Sequence, residues 1–235
     1  MRVAAISDIH GNLPALEAVL DEIERAGVDA IVVAGDTVSG PWAAEVFDRL
    51  VTRGALIVRG NADRLVLEGD EGPLGIWSAE RLGDDRLATV ATWPLTLEVE
   101  VAGLGRVLVC HSTPASDEAI YTRITPDDEL GRLFADVDAD VVVCGHTHMQ
   151  YDRALPGGPR VVNAGSVGFP YEGARGAYWA LLGPDLELRR TDYDVEAAVA
   201  AIQALGAPRQ EELRHLLEPP DRVATTEYFE SLRGA

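Results

Sequence analysis

The stretch VAAISDIHGN, residues 3–12, joins a short apolar run to two side chains that often bind metal ions, Asp8 and His10. Its first four residues are apolar throughout, which is typical of a strand covered on both faces of a sheet. Asn12 is a favourable N-cap, and leucines at helical spacing follow it as far as Gly27. The stretch therefore predicts a strand, a polar turn and a helix.

The same unit repeats along the chain. Residues 30–34 are a second apolar run, residues 41–53 are predicted to be a helix that starts at Pro41, and residues 56–58 are a third run. Strands that alternate with helices of this length indicate βαβ crossovers and a largely parallel sheet. The alternation stops at residues 64–93, which are predicted to be a helical insertion that serves either as extra core packing or as a lid over a site.

More strands are predicted in the second half of the chain. Residues 95–101 alternate apolar and polar side chains, whereas residues 107–109 and 141–143 are apolar throughout. Between these last two runs, Thr125 and Pro126 precede acidic residues, which predicts a helix with Pro126 at its first position. A second group of strands is predicted at residues 161–162, 178–182 and 186–190. A helix at residues 194–206 and a helical tail at residues 208–235 follow it. No linker is evident, so residues 1–235 are expected to form one domain.

Composition excludes several classes of function. The formal net charge is −19 and every one of the 20 basic residues is arginine, so binding to nucleic acid or to an anionic membrane is not expected. A chain without lysine has neither a Schiff-base lysine nor a P-loop lysine. With only Cys110 and Cys144, no signal-peptide pattern and no long apolar run, the protein is expected to be cytoplasmic.

Potential metal ligands follow five of the predicted strands. They are Asp8, His10, Asp36, Asn61, His111, His146 and His148. Loops at the carboxyl ends of parallel strands meet at one crevice, so these side chains are expected to converge. Nitrogen and oxygen ligands without thiolate favour divalent transition metals, with manganese as first choice and iron, nickel, cobalt or zinc as alternatives. Seven ligands suit two ions that share a carboxylate, and such pairs of ions catalyse hydrolysis of phosphate esters.

The ordered motifs resemble those of the calcineurin-like metallophosphoesterases. The motifs are Asp8-Ile9-His10-Gly11-Asn12, Gly35-Asp36, Gly60-Asn61-Ala62-Asp63, the His111 segment and Gly145-His146-Thr147-His148. The turn Asn163-Ala164-Gly165-Ser166 resembles one found in the small bacterial and archaeal branch of that family. The resemblance spans about residues 3–193 and implies an α/β fold, a four-layer αββα sandwich in which helices flank two mixed sheets.

The resemblance also implies a role for each ligand. One metal ion would be held by Asp8, His10, Asp36 and His148, and Asp36 would bridge to a second ion held by Asn61, His111 and His146. A hydroxide between the ions is the implied nucleophile, and Asp36, Asn61 and His111 are the implied catalytic residues. The expected substrate is a small phosphodiester or phosphomonoester, and the sequence leaves that choice and the oligomeric state open.

Two departures from the family pattern narrow the function. Many relatives carry a histidine general acid where this chain has Ala62, which predicts a preference for acidic leaving groups. Arg64 cannot replace that acid because guanidinium stays protonated, and His215 in the tail is not expected to reach the site. Residues 37–40 lack the arginine of phosphoprotein phosphatases and diadenosine tetraphosphatases. The alternative to an enzyme is a catalytically weak metal-binding scaffold or a nucleotide sensor, but the complete ligand set favours the enzyme.

Overall fold

Two five-stranded sheets form the centre of the computed structural model, which describes residues 1–70 and 72–233. The first sheet runs in the order β10 (Leu186–Thr191), β9 (Ala177–Leu182), β1 (Val3–Ile6), β2 (Ala30–Val33) and β3 (Leu56–Ile57). The second runs in the order β4 (Thr96–Val101), β5 (Gly105–Cys110), β6 (Val141–Cys144), β8 (Arg160–Asn163) and β7 (Tyr151–Ala154). Both sheets are mixed, because β1–β2–β3 and β5–β6–β8 pair in parallel, whereas β4, β7, β9 and β10 join their sheets through antiparallel pairs.

Eight helices surround the sheets in the described residues. They are α1 (Leu13–Ala26), α2 (Ala43–Thr52), α3 (Asn61–Glu68), α4 (Gly72–Val90), α5 (Asp127–Leu133), α6 (Val195–Leu205), α7 (Arg214–Leu217) and α8 (Arg222–Ser231). A 3₁₀ turn over Gln210–Leu213 precedes α7. The caps predicted from sequence are present, since Asn12 and Asp194 accept bonds from the backbone of their helices and Gly27 ends α1 in a left-handed conformation.

The core is layered as expected for strands whose successive side chains point to opposite faces. Val3 and Ala5 of β1 face the second sheet, where they join valines of β5 and β6. Ala4 and Ile6 face outward and pack against α1 and α2. On the other side, α5 covers the outer face of the second sheet through Leu130. These layers confirm the predicted αββα sandwich.

Three details differ from the sequence predictions. The strands predicted as one second group separate: β8 joins the second sheet, but β9 and β10 join the first beside β1. The helix predicted from Pro41 begins at Ala43, because Pro41 and Trp42 form the turn that leads into it. Pro126 is the N-cap of α5 and not its first helical residue, so Asp127 takes that position.

The predicted insertion and tail correspond to helices. Segment 64–93 contains most of α3 and all of α4, with a break at Gly83, and segment 208–235 contains the 3₁₀ turn, α7 and α8. Residues 71, 234 and 235, which lie in these two segments, fall outside the described residues, and the assignment of the whole chain to one domain stays a prediction. Within the described ranges, every helix is too short or too polar to cross a bilayer.

Candidate metal centre

The seven predicted ligands meet where the carboxyl ends of five strands face each other across the sandwich. Asp8 and His10 follow β1, and Asp36 follows β2. Asn61, after β3, is the first residue of α3. His111 follows β5, while His146 and His148 follow β6. The structure therefore brings all seven side chains together, and their role as ligands stays a prediction.

Four of these residues form one group of donor atoms. One donor atom from each of Asp8, His10, Asp36 and His148 lies within 4.8 Å of the others. The Nε2 atoms of His10 and His148 are 3.2 Å apart. His148 Nε2 lies 3.4 Å from Asp8 Oδ1, and His10 Nε2 lies 3.6 Å from Asp36 Oδ2. Four donors at these separations surround a volume suited to a single cation.

The other three residues form a second group beside the first. Asn61 Oδ1 lies 2.9 Å from His111 Nε2 and 3.0 Å from His146 Nδ1. His111 Nε2 is also 3.4 Å from Asp36 Oδ2. The same Asp36 oxygen therefore borders both groups, while its Oδ1 accepts a hydrogen bond of 2.8 Å from the backbone N–H of Ala62. Because Oδ1 is engaged in this hydrogen bond, Oδ2 is the Asp36 oxygen that faces both groups.

The hydrogen bonds of two histidines set which ring nitrogen points into the centre. His111 Nδ1 lies 2.8 Å from the carbonyl of Ala34, and His148 Nδ1 lies 2.6 Å from the carbonyl of Phe169. A carbonyl oxygen only accepts, so each Nδ1 must carry a proton, and Nε2 is the nitrogen of each ring that faces the centre. When the His111 ring is neutral, its Nε2 lone pair faces the Asn61 oxygen, an arrangement that a cation at this place, either a proton or a metal ion, stabilises.

The donor set of the centre is rich in ring nitrogens. His146 faces Asn61 Oδ1 with its Nδ1 atom, and its Nε2 atom, on the other side of the ring, is one of the few buried side-chain polar atoms of the described residues that lack a hydrogen-bond partner. Together with the Nε2 atoms of His10, His111 and His148, this Nδ1 atom brings four ring nitrogens to the two donor groups. Imidazole, carboxylate and amide donors in this ratio fit divalent transition metals.

The ionisation of the centre follows from burial and close charges. Burial opposes the charged form of His111, but the Asp36 carboxylate raises the pKa of His111 to about 10. Burial also opposes ionisation of Asp36, yet His111 lowers its pKa well below the usual range. Burial and the nearby His111 lower the pKa of His146 to about 4. These directions are the ones expected of a centre whose carboxylates favour a neighbouring cation, either a proton on His111 or a metal ion.

Backbone strain is concentrated at the same place. Five of the seven residues have positive φ angles: 51° at Asp8, 45° at His10, 53° at Asp36, 69° at His146 and 57° at His148. Asp and His tolerate this left-handed conformation better than most residues, but it still costs about 1–2 kcal/mol each. Backbone bonds hold it in place, including 3.0 Å bonds from Asp8 N to the Gly35 carbonyl and from His10 N to the Asp36 carbonyl. Strain of this kind accumulates at functional sites.

Asp63, the last residue of the motif Gly60-Asn61-Ala62-Asp63, supports the loops that carry Asp36 and Asn61, a role that was not predicted from the sequence. It is fully buried, and its carboxylate accepts bonds from the backbone N–H groups of Thr37 at 2.8 Å, Val38 at 2.9 Å and Gly60 at 3.0 Å. It thereby ties the loop after Asp36 to the turn before Asn61. An acidic residue at the third position of a helix is the signal that could have revealed this capping role.

The turn Asn163-Ala164-Gly165-Ser166 also supports the centre. Ser166 Oγ donates to the carbonyl of Asp8 at 2.7 Å, and Asn163 Nδ2 donates to the carbonyl of Gly145. The turn shapes the site without presenting a reactive group to it. Cys110 and Cys144 are buried as expected for small apolar residues, and burial raises the pKa of the Cys144 thiol to about 12.

Neither Arg64 nor His215 is placed to replace the histidine general acid that is missing at Ala62. Ala62 is buried beside Asp36, with 3% of its surface exposed. Arg64 is held by carboxylates of Asp117 at 2.9 Å and Glu118 at 2.6 Å. His215 stays one ring away from the centre, since it packs against Tyr171 with ring centroids 6.4 Å apart while Tyr171 stacks on His148 at 4.9 Å.

A cavity of about 160 Å³ adjoins the centre, and His10 and His148 form part of its wall. Leu74 of α4 borders it on one side, and Leu213 and Leu216 from the tail border it on another. The predicted insertion contributes core packing, because α4 packs against α2 around Phe47, and Leu74 of α4 also lines this cavity. Its role as a lid stays a prediction. No sequence signal pointed to the tail, because its leucines lie far along the chain from every ligand motif.

Comparison with known proteins agrees with this geometry. Residues 1–183 match the profile described as the Calcineurin-like phosphoesterase superfamily domain. The chain belongs to this superfamily. The match confirms the resemblance seen in the motifs, and it stops before α6, so the last three helices lie outside the matched domain. Like its family, this phosphoesterase-fold protein has a cluster of Asp and His residues that could bind divalent metal.

Similar proteins come from bacteria and archaea. An uncharacterized protein of Methanocaldococcus jannaschii, MJ0912, is 28% identical over 228 residues, covering 85% of this chain and 91% of its own length. A metallophosphoesterase structure from Sphaerobacter thermophilus has a TM-score of 0.76 at 24% identity and covers 93% of this chain and 99% of that one. The hypothetical protein PH1004 of Pyrococcus horikoshii OT3 has a TM-score of 0.80 at 21% identity, with coverage of 94% and 99%. At these identities the two structures establish the fold alone.

Proposed function

We propose that this member of the superfamily hydrolyses a small phosphodiester or phosphomonoester at a centre of two divalent metal ions. The observation that carries the proposal is the position of Asp36 Oδ2, which lies 3.6 Å from His10 Nε2 in one donor group and 3.4 Å from His111 Nε2 in the other. A carboxylate oxygen shared between two groups of nitrogen and oxygen donors suits two ions a few ångströms apart. Manganese is the metal we expect first.

The bound ions would acidify an attacking water and neutralise charge that develops on the phosphate oxygens. The chain's own part is to hold the donors in place before the substrate arrives. Carbonyls of Ala34 and Phe169 fix the rings of His111 and His148, and the backbone N–H of Ala62 fixes Asp36. Asp8 accepts from the backbone N–H of His146 at about 3.1–3.2 Å, which joins the two loops that carry most of the donors. Such preorganisation is the main protein contribution in phosphoryl transfer.

Charge also explains how an acidic protein accepts an anionic substrate. With a net charge of −19, the molecule as a whole repels phosphate. Two divalent ions at the bottom of the site would reverse the local potential over the few ångströms in which the substrate binds. Substrate binding should therefore depend on metal even where the organic part of the substrate fits well.

The first experiment is an add-back assay on metal-stripped protein. Manganese, nickel, cobalt, zinc and magnesium are restored one at a time, and hydrolysis of bis-p-nitrophenyl phosphate and p-nitrophenyl phosphate is measured. We expect activity only with metal, two ions per chain by elemental analysis, and loss of at least about a hundredfold in kcat/KM for Asp36→Asn. The better substrate decides between diesterase and monoesterase.

Asp117→Asn is a matched control, because it also neutralises one carboxylate yet changes a partner of Arg64 and none of the seven donors. It should keep the metal content and most of the activity. Two bound ions without turnover of these esters or of a nucleotide panel would overturn the hydrolase and favour the scaffold or sensor.

A further inference from the structure

The cavity beside His10 and His148 has walls of a different character from the metal centre. Pro41, Leu74 and Phe169 line one part of it, and Leu213 and Leu216 line another. Leu213 and Leu216 are 7% and 4% exposed, so they present packed hydrocarbon to the space and not mobile surface chains. A mostly apolar cavity directly beside a metal centre that would bind phosphate is suited to the organic part of a phosphate ester.

Size limits what this cavity can hold. Its volume is about 160 Å³. An apolar cavity of about 150 Å³ is large enough to admit a benzene ring. A single ring or a short branched chain therefore fills this space, whereas a purine nucleoside with its ribose would extend beyond it.

The charge of the lining further limits which groups this cavity can hold. Of the described residues that line the cavity, Arg209 and Glu212 are the ones with full charges, apart from the two histidines, and they pair with each other at 3.7 Å. The pair contributes no net positive charge to the lining, so the balance of charge does not favour a second phosphate group. This argues against nucleoside diphosphates and dinucleoside polyphosphates, which carry several negative charges.

We propose that this cavity is the subsite for the organic group of the substrate, and that this group is compact, uncharged and apolar, of the size of one aromatic ring. The inference rests on the proposed function, because it assumes that the phosphate group binds at the neighbouring metal centre. It deepens that function by assigning substrate selection to residues outside the seven donors. Leu213 and Leu216 also lie beyond residues 1–183, the part matched by the superfamily domain.

A binding experiment tests the subsite without turnover. Dissociation constants of benzylphosphonate and methylphosphonate are measured by calorimetry on the manganese-loaded full chain. We expect benzylphosphonate to bind at least about tenfold more tightly, since even one methylene group in an apolar pocket is worth about 10–200-fold. Leu74→Trp fills the cavity and should abolish that preference while leaving methylphosphonate binding within about threefold.

The matched control is Leu87→Trp. Leu87 lies on the same helix and is also half-buried, but it packs against the cluster around Phe47 and not against the cavity. This variant should keep the benzyl preference. Equal binding of the two phosphonates by the wild-type chain, or a preference that survives in Leu74→Trp, overturns the subsite.

Hydrolysis of benzyl phosphate and methyl phosphate, and of their methyl diesters, separates this inference from the proposed function. Hydrolysis of the methyl esters at least as well as the benzyl esters keeps the hydrolase and overturns the subsite. A benzyl preference in binding without hydrolysis of any of these esters or of the p-nitrophenyl esters, whose leaving group is far more acidic, supports the subsite and counts against the hydrolase.

Discussion

Gly60 shows how closely the backbone approaches the metal centre. A Cβ atom placed on it would lie 2.1 Å from Asp36 Oδ1 and 2.4 Å from Asp36 N. Because Gly60 has a φ of −95°, the difficulty with a larger residue is space and not backbone conformation. The residue is thus a spacer that lets the loop before Asn61 touch the loop of the shared carboxylate.

We expect Gly60→Ala to lower kcat/KM by about a hundredfold, because a shift of about 1 Å in a catalytic group can cost that much. Metal content, measured by elemental analysis, should fall below two ions per chain. Gly131→Ala is the control: a Cβ there meets nothing within 4 Å, so activity should be unchanged. Wild-type kinetics and two ions in Gly60→Ala would contradict the argument.

Ala62 leads to a second prediction at the residue scale. This chain has alanine where many relatives have a histidine acid, and the nearby Arg64 is bound to Asp117 and Glu118, so neither position supplies a proton to a leaving oxygen. The rate should therefore fall steeply as the leaving alcohol becomes less acidic. The rates of a series of aryl phosphates, measured with manganese, test this dependence. A rate independent of leaving-group pKa would contradict the prediction.

The convergence of the seven predicted ligands could be foreseen from sequence because each of them closely follows a predicted strand. The pattern of apolar run and polar turn is local, and parallel strands of a sandwich place their carboxyl ends together. Tautomers, the shared Oδ2 and the role of Asp63 could not be found that way. They depend on contacts between loops that are distant in the chain, such as the bond from His111 to the carbonyl of Ala34, 77 positions away.

At the scale of elements, one carboxylate is among the groups that anchor α8 to the body. Glu230 accepts hydrogen bonds from the hydroxyl groups of Thr122 at 2.6 Å and Thr125 at 2.5 Å, and it also contacts Arg233. Although burial opposes its ionisation, these bonds lower the pKa of Glu230 below its ordinary value. The anchor joins the end of the tail to the loop before α5.

The sign of the pH dependence follows from that lowered pKa. The folded state favours ionised Glu230, so its stabilisation is complete above the ordinary glutamate pKa of about 4.3 and disappears as the pH falls through the lower folded value. Glu230→Gln should lower Tm by about 2–4 °C at pH 7, the effect of about 1 kcal/mol, and by less near pH 3. Glu227→Gln, on an exposed position of the same helix, should change Tm little at either pH. A deficit in Glu230→Gln that grows on acidification would contradict this.

Sheet membership was the least predictable property of the elements. The strand alternation in the first sixty residues is local, and β1, β2 and β3 appear where the apolar runs predicted them. The assignment of β9 to the first sheet rests on its pairing with β1, in which Ala4 lies opposite Leu181. An apolar run of six residues satisfies either sheet equally well, so sequence pattern alone could not place it.

At the scale of the whole molecule, metal binding should appear as thermal stability. The donors converge from five strand ends, so the unfolded chain has no comparable site and metal binds the folded state alone. A metal concentration of 100 times Kd then adds about 2.7 kcal/mol, which for a chain of this size raises Tm by about 5–11 °C. Differential scanning fluorimetry with and without manganese measures it, and Asp36→Asn should lose most of the shift. An equal shift in both proteins would mean that manganese binds elsewhere.

The division of the cavity between two parts of the chain has an evolutionary consequence. Its metal-side wall belongs to the superfamily domain that ends at residue 183, whereas Leu213 and Leu216 belong to a C-terminal segment beyond it. With the cavity as the subsite that we propose, mutations in that segment would reshape the space for the substrate without altering any of the seven predicted ligands. Natural selection would then vary which molecule binds while the metal centre is inherited unchanged, so relatives with the same seven residues and different C-terminal leucines are expected to differ in substrate.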